Sequence, residues 1–135
     1  MTVLSDSFLD LSSYFAQENF RAGFSLGSFP YKTPEDRKQL AEVLGLNSSN
    51  LVVPKQVHGN QVQFCTTPGK LSDTDALISK SADVVLSIQV ADCIPLFVQD
   101  KNSKIFGLVH AGWRGTAKGI VLKTINEFKK HNACI

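Results

Sequence analysis

Charge of one sign is what this sequence most lacks. Its 14 basic side chains face 12 acidic ones, a formal charge of +2, and Lys129–Lys130 is the only adjacent lysine pair. So small and scattered an excess argues against a nucleic-acid-binding patch. Long apolar runs are lacking too: none approaches the roughly 18–20 residues that span a bilayer, so no membrane partner is expected. No basic segment followed by an apolar stretch marks a signal peptide near Met1. Cysteine is scarce and odd in number, at three, which does not suit a disulfide framework. The expectation is a reduced, cytoplasmic protein whose thiols need another explanation.

What is present reads as globular. Apolar residues make up 43% and charged residues 19%, well away from the composition of disordered chains. A length of 135 residues fits a single domain, and such a domain buries about two-thirds of its unfolded surface.

Residues 1–17 alternate loosely and predict a strand or irregular lead-in; residues 20–31, rich in aromatics, Gly and Ser, predict a loop. A helix is expected from Thr33, an N-cap followed by Pro34, Glu35 and Asp36. Leu40, Val43 and Leu44 would form its apolar stripe, and Gly45 its stop. Short β segments follow. Residues 51–53 and 61–65 flank the His58-Gly59-Asn60 turn, and the apolar run 84–90 predicts a strand buried on both faces. Residues 95–99 and 105–109, joined by the polar stretch 100–104, predict a hairpin. A second helix is expected over residues 116–130, with Ile120, Val121, Ile125 and Phe128 inward. Strands grouped between two helices indicate an α+β fold. The chain then stops just after a helix, as a truncated domain would.

Only three histidines are present, so each is informative. His58 lies at a tip between two strands, Cys93 at the end of the apolar run, and His110 at the end of a further strand. Side chains at strand ends can converge on one cleft. Two imidazoles and a thiolate suit Zn²⁺, and three protein ligands leave a coordination position open, as catalytic sites do. Asp92, beside Cys93, is placed to orient a ligand or accept a proton. The separations, 35 residues from His58 to Cys93 and 17 more to His110, match no compact zinc motif. On the residues alone, a metal site therefore competes with a Cys93–His110 nucleophile–base pair. It also competes with the plain case of a buried thiol and hydrogen-bonded imidazoles.

Gly112 and Gly115 flank Trp113-Arg114 ahead of a predicted helix. Such a turn can bind an anion through backbone N–H groups, and Arg114 favours this, although a plain tight turn explains the glycines as well. Arg37, one turn into the first helix, reads as a surface charge. Asp75 reads as a turn former, with N-cap and site residue as alternatives. Cys65 reads as core and Cys134 as a terminal thiol.

The blocks Gln56-Val57-His58-Gly59, Ala91-Asp92-Cys93-Ile94-Pro95 and His110-Ala111-Gly112-Trp113-Arg114-Gly115 together resemble the YfiH/YlmD-type family. Its members are also called laccase-domain or polyphenol-oxidase-like proteins and are regarded as purine nucleoside phosphorylases. Asp75-Ala76-Leu77-Ile78 and the helix from Arg37 also fit. The resemblance implies a layered α+β sandwich of mixed β-sheet with flanking helices, related to the catalytic domains of cytotoxic necrotizing factors. It implies a metal triad of His58, Cys93 and His110, and a phosphate or nucleoside contact from Arg37. Taken with the residues themselves, the expected catalytic groups are Asp92, Cys93 and Arg37, and the expected substrate or phosphate contacts Arg37, Arg114 and Gly112. The implied activity is zinc-dependent purine nucleoside phosphorolysis, with adenosine deaminase and S-methyl-5′-thioadenosine phosphorylase activity.

Two departures stand out. Where the family reads Gly-Phe-Ser/Thr-Thr-Arg, Gly23-Phe24-Ser25 is followed by Leu26-Gly27, and Arg21 is out of register. The C-terminal half of the family domain also has no counterpart, so residues 1–135 read as the N-terminal part of a larger YfiH-like domain, with a partner or second copy completing it. Two other functions stay open: a Cys–His thiol hydrolase or deamidase on the same fold, and an inactive, truncated metal-binding module. Cu²⁺ is expected only as an opportunistic occupant, because three imidazoles are too few for a multicopper oxidase.

Overall fold

The protein is seen here as a computed structural model that describes residues 6–133, so Cys134 and the first five residues of the lead-in lie outside it. Backbone contacts divide the chain into two compact units, Met1–Ser49 and Asn50–Ile135.

In the first unit, β1 (Phe8–Asp10) pairs antiparallel with β2 (Gly23–Ser25), Leu9 opposite Phe24. The stretch expected to be a loop thus contains a strand. Gly23 is needed there, because a Cβ on it would come 2.5 Å from Leu44 Cδ1. Helix α1 (Pro34–Val43) starts where its N-cap predicts. Thr33 Oγ1 accepts the Asp36 N–H at 3.2 Å, and Asp36 Oδ2 accepts the Thr33 N–H at 2.7 Å, a reciprocal capping box. Gly45 ends the helix at φ +74°, with the Leu46 N–H bonded to the Ala41 carbonyl. The expected stripe needs correction. Ala41 and Leu44, three apart, are buried, whereas Val43, about 100° round the helix from Leu44, is 48% exposed.

The second unit holds two sheets and two helices. The smaller sheet is parallel, in the order β5 (Gly69–Leu71), β3 (Leu51–Pro54), β7 (Val85–Leu86). The larger is mixed, in the order β4 (Val62–Phe64), β6 (Ala76–Ser79), β9 (Phe106–Ala111), β8 (Ile94–Gln99). The expected hairpin is β8–β9, with Pro95 tolerated on the edge strand. Every residue of β6 is buried, and its side chains alternate between two layers. Leu77 packs with Val52 and Val84, whereas Ala76 and Ile78 pack with Ile120 and Phe128 of α3 (Ile120–Lys130). Gly107 leaves room for Phe128, whose ring carbon would stand 2.9 Å from a Cβ there. The fold class is α+β, as expected.

Strands β3 and β4 flank His58 as expected and belong to different sheets. Three expectations are corrected in this unit. The apolar run 84–90 supplies only the two-residue edge strand β7, and the strand buried on both faces is β6. The helix expected over residues 116–130 is two: Gly119, left-handed at φ +78°, separates α2 (Trp113–Ala117) from α3. In α3 the buried face is Ile120, Thr124 and Phe128, four apart, while Val121 and Ile125 are only half-buried. Thr124 can sit there because its hydroxyl donates to the Ile120 carbonyl at 2.8 Å.

Candidate metal centre

Two loops and the end of strand β9, at one end of the larger sheet, bring His58, Cys93 and His110 together. Cys93 stands in the bend just before β8, not at the end of the most buried strand as expected, and His110 is next to last in β9. The β8–β9 register sets Pro95 opposite His110 and Ile94 opposite Ala111, so Cys93 falls level with Gly112. A Cβ on Gly112 would lie 2.9 Å from Cys93 Sγ and 3.2 Å from His58 Cδ2. Glycine at that position is what lets the thiol and the imidazole approach. The potential ligand atoms of the three residues all lie within 4.8 Å of one another. The two imidazole rings meet edge to face, with centroids 4.8 Å apart. His110 is buried, Cys93 half-buried and His58 exposed, so the group opens to solvent on one side.

Asp75 is fully buried behind this group. Its Oδ1 accepts the His58 N–H at 2.9 Å and lies 2.8 Å from His110 Nδ1; its Oδ2 accepts the N–H groups of Val57 at 3.2 Å and Gly59 at 2.9 Å. Burial pushes the Asp75 carboxyl pKa upward, but the bonds from His110 and the three backbone donors outweigh it and hold the group below the ordinary value. The sequence reading favoured a turn former at this position. A signal was available in its immediate neighbours: Asp75 precedes an unbroken apolar run, Ala76-Leu77-Ile78, and so enters a buried strand.

Gln56 ties a second pair of segments. Its Nε2 donates to the Gln89 carbonyl at 2.6 Å and its Oε1 accepts the Gln89 N–H at 2.7 Å. One amide thus holds the chain two residues before His58 to the chain four residues before Cys93. Asn60 Nδ2 also donates to the Lys118 carbonyl at 2.7 Å, joining the His58 turn to the link between α2 and α3.

Beside Cys93 lies an open concavity of about 570 Å³, lined by Asp92, Cys93, Ile94, Ala111, Trp113, Thr116 and Ala117. Trp113 is 76% exposed, and the Arg114 guanidinium carbon sits 4.9 Å from its ring centroid, a cation–π contact. Asp92 is exposed at the same rim. Gly112 caps a helix of only five residues. Arg37 belongs to the first unit, half-buried on α1 four residues before Ala41, and burial lowers its pKa. Cys65 is remote core, where burial pushes its thiol up to about 11. His131 stacks on Phe64 with centroids 3.9 Å apart and takes no part in the group.

The donor chemistry fits zinc. Bonds of about 2.0–2.3 Å to tetrahedral N and S ligands separate the donors by roughly 3.3–3.8 Å, a distance that small side-chain rotations reach from a spread of 4.8 Å. With Nδ1 facing Asp75, His110 has Nε2 left as its donor atom.

The family described as multi-copper polyphenol oxidoreductase laccase matches residues 11–135. A purine nucleoside phosphorylase of Corynebacterium glutamicum is 32% identical over 119 residues, covering 85% of this chain and 48% of that protein. Adenosine deaminase RL5, from an unidentified prokaryote, is 28% identical over 120 residues, covering 82% and 46%. The crystal structure of the hypothetical protein YfiH from Bacillus licheniformis superposes with a TM-score of 0.79 at 22% identity, covering 95% of this chain and 58% of that one. The chain spans about half the length of the curated relatives it matches.

Proposed function

The chain belongs to the laccase-like family whose purine nucleoside phosphorylases it matches, and from that premise we propose that it carries the metal-holding part of such an enzyme. The whole protein would be a cytoplasmic, zinc-dependent purine nucleoside phosphorylase with adenosine deaminase and S-methyl-5′-thioadenosine phosphorylase activity. One observation carries the reading: two imidazoles and a thiolate within 4.8 Å of one another, at the edge of an open, largely apolar concavity. Residues 1–135 would then correspond to about half of such an enzyme.

His58, Cys93 and His110 would hold zinc, which supplies Lewis acidity when bound; copper would occupy the site only opportunistically. The chain's other residues would place the substrate. Trp113, with Ile94 and Ala111, offers a flat apolar wall to a purine base. Arg114 and the Gly112 backbone would be the groups that meet phosphate. In phosphorolysis a phosphate oxygen forms a bond to ribose C1′ as the C1′–N9 bond breaks, and the departing purine takes up a proton. Asp92 at the rim is the group assigned to proton exchange. In deamination the same carboxylate would pass the proton from water to the departing ammonia.

Zinc content measured together with adenosine and inosine phosphorolysis tests this reading. The expected result is stoichiometric zinc and adenine plus ribose-1-phosphate, both lost in Cys93→Ala. Turnover that survives in that variant would remove the metal site from the mechanism.

A second reading has its own support. Cys93, His110 and Asp75 follow one another in the order of a nucleophile, a base and its orienter, so a thiol hydrolase or deamidase fits the same residues. Metal-free protein with a catalytically essential Cys93 thiol would favour it.

A further inference from the structure

We propose that Asp75 is a positioning residue for the cluster: one carboxylate sets the ring tautomer of His110 and the backbone turn of His58. The proposal rests on the reading of His58, Cys93 and His110 as ligands.

Four donors converge on two oxygens, two on each. His58 N and His110 Nδ1 meet Oδ1; Val57 N and Gly59 N meet Oδ2. An ionised carboxylate only accepts, so the His110 nitrogen facing it carries the hydrogen. The neutral ring then keeps its lone pair on Nε2, the remaining atom able to bind a metal. The same carboxylate gathers three successive N–H groups of a turn in which His58 has φ +58°. A left-handed conformation is unfavourable for a residue with a side chain, and these bonds offset that strain. The main chain strengthens the link, since the His110 N–H also donates to the Asp75 carbonyl at 2.7 Å. Sequence distance is irrelevant to this arrangement: Asp75 lies 17 residues from His58 and 35 from His110, yet fixes both.

A neutral amide cannot replace it. In Asp75→Asn, an NH₂ in the Oδ2 position opposes the N–H groups of Val57 and Gly59. An NH₂ in the Oδ1 position opposes the His58 N–H and can satisfy His110 only if the ring moves its hydrogen to Nε2. Either arrangement misplaces a ligand.

Two measurements test the proposal. Long-range ¹H–¹⁵N spectra of metal-free wild-type protein should show His110 as the Nδ1–H tautomer, and Asp75→Asn should shift it toward Nε2–H. Competition with a chromogenic chelator should show zinc affinity reduced roughly 10–100-fold in Asp75→Asn. An Nε2–H tautomer in the wild-type protein overturns the proposal, and so does unchanged zinc affinity in the variant. If the variant does not fold, the wild-type tautomer decides alone. Wild-type protein that takes up no zinc but shows the Nδ1–H tautomer upholds the orienting role and removes the metal reading, so the two failures are told apart.

Discussion

Gln56 pairs with the backbone of Gln89 through both ends of its side-chain amide, as a neighbouring strand would. Residues 87–90 have no strand assignment of their own, so this amide stands in for a ladder partner. It anchors the approach to Cys93 on the approach to His58. Gln56→Ala is expected to cost about 1–2 kcal/mol of stability, the sum of two ordinary hydrogen bonds. It should also lower zinc affinity, because the Cys93 segment loses its tether. Urea unfolding and zinc competition read the two effects separately; unchanged affinity would show that the tether is dispensable for the site.

Gly112→Ala leaves His58, Cys93 and His110 in place and sets one methyl group against two of them, 2.9 Å from Cys93 Sγ and 3.2 Å from His58 Cδ2. We expect folded protein with zinc uptake weakened by at least about tenfold, the scale seen when ligand orientation is disturbed. Normal uptake would mean that Cys93 and His58 can bind without closing on Gly112.

Alkylation should separate the two described thiols. Cys65 is buried with its pKa pushed up to about 11, so at pH 8 only about one molecule in a thousand carries the reactive thiolate. Cys93 is half-buried at an open rim. Peptide mapping after brief iodoacetamide treatment of metal-free protein should find Cys93 modified and Cys65 intact. Labelling of Cys65 should rise as pH approaches 11, and zinc should protect Cys93. Equal labelling of both at pH 8 would contradict the burial of Cys65.

Trp113 is the sole tryptophan, so intrinsic fluorescence reports the concavity directly. Adenosine should quench it, ribose should not, and Trp113→Phe should keep more phosphorolysis than Trp113→Ala. No spectral change at saturating adenosine in an active preparation would place the base elsewhere.

Local signals carried well from sequence to structure. Thr33, Pro34 and Gly45 delimit a helix because caps are local chemistry, and residues 100–104 turn a hairpin for the same reason. What failed depended on partners far along the chain. The run 84–90 is apolar enough for a doubly buried strand, but the central place in the larger sheet goes to Ala76–Ser79. Gly119 interrupts a helix that periodicity alone extends. His58, Cys93 and His110, which the structure brings together, stood out through the scarcity of His and Cys and through resemblance. Asp75 was not recognised as their support, because a buried Asp and a turn-forming Asp look alike until the donors around it are known.

The pairing of β6 with β9 sets Ala76 opposite Val109, which brings Asp75 level with His110. A slip of one residue would turn His110 to the opposite face and leave the carboxylate facing a valine or an alanine. Were the cluster to hold zinc, uptake of the ion would be a proofreading signal for this sheet: a chain that has mispaired its strands would not capture it, whatever its helix content.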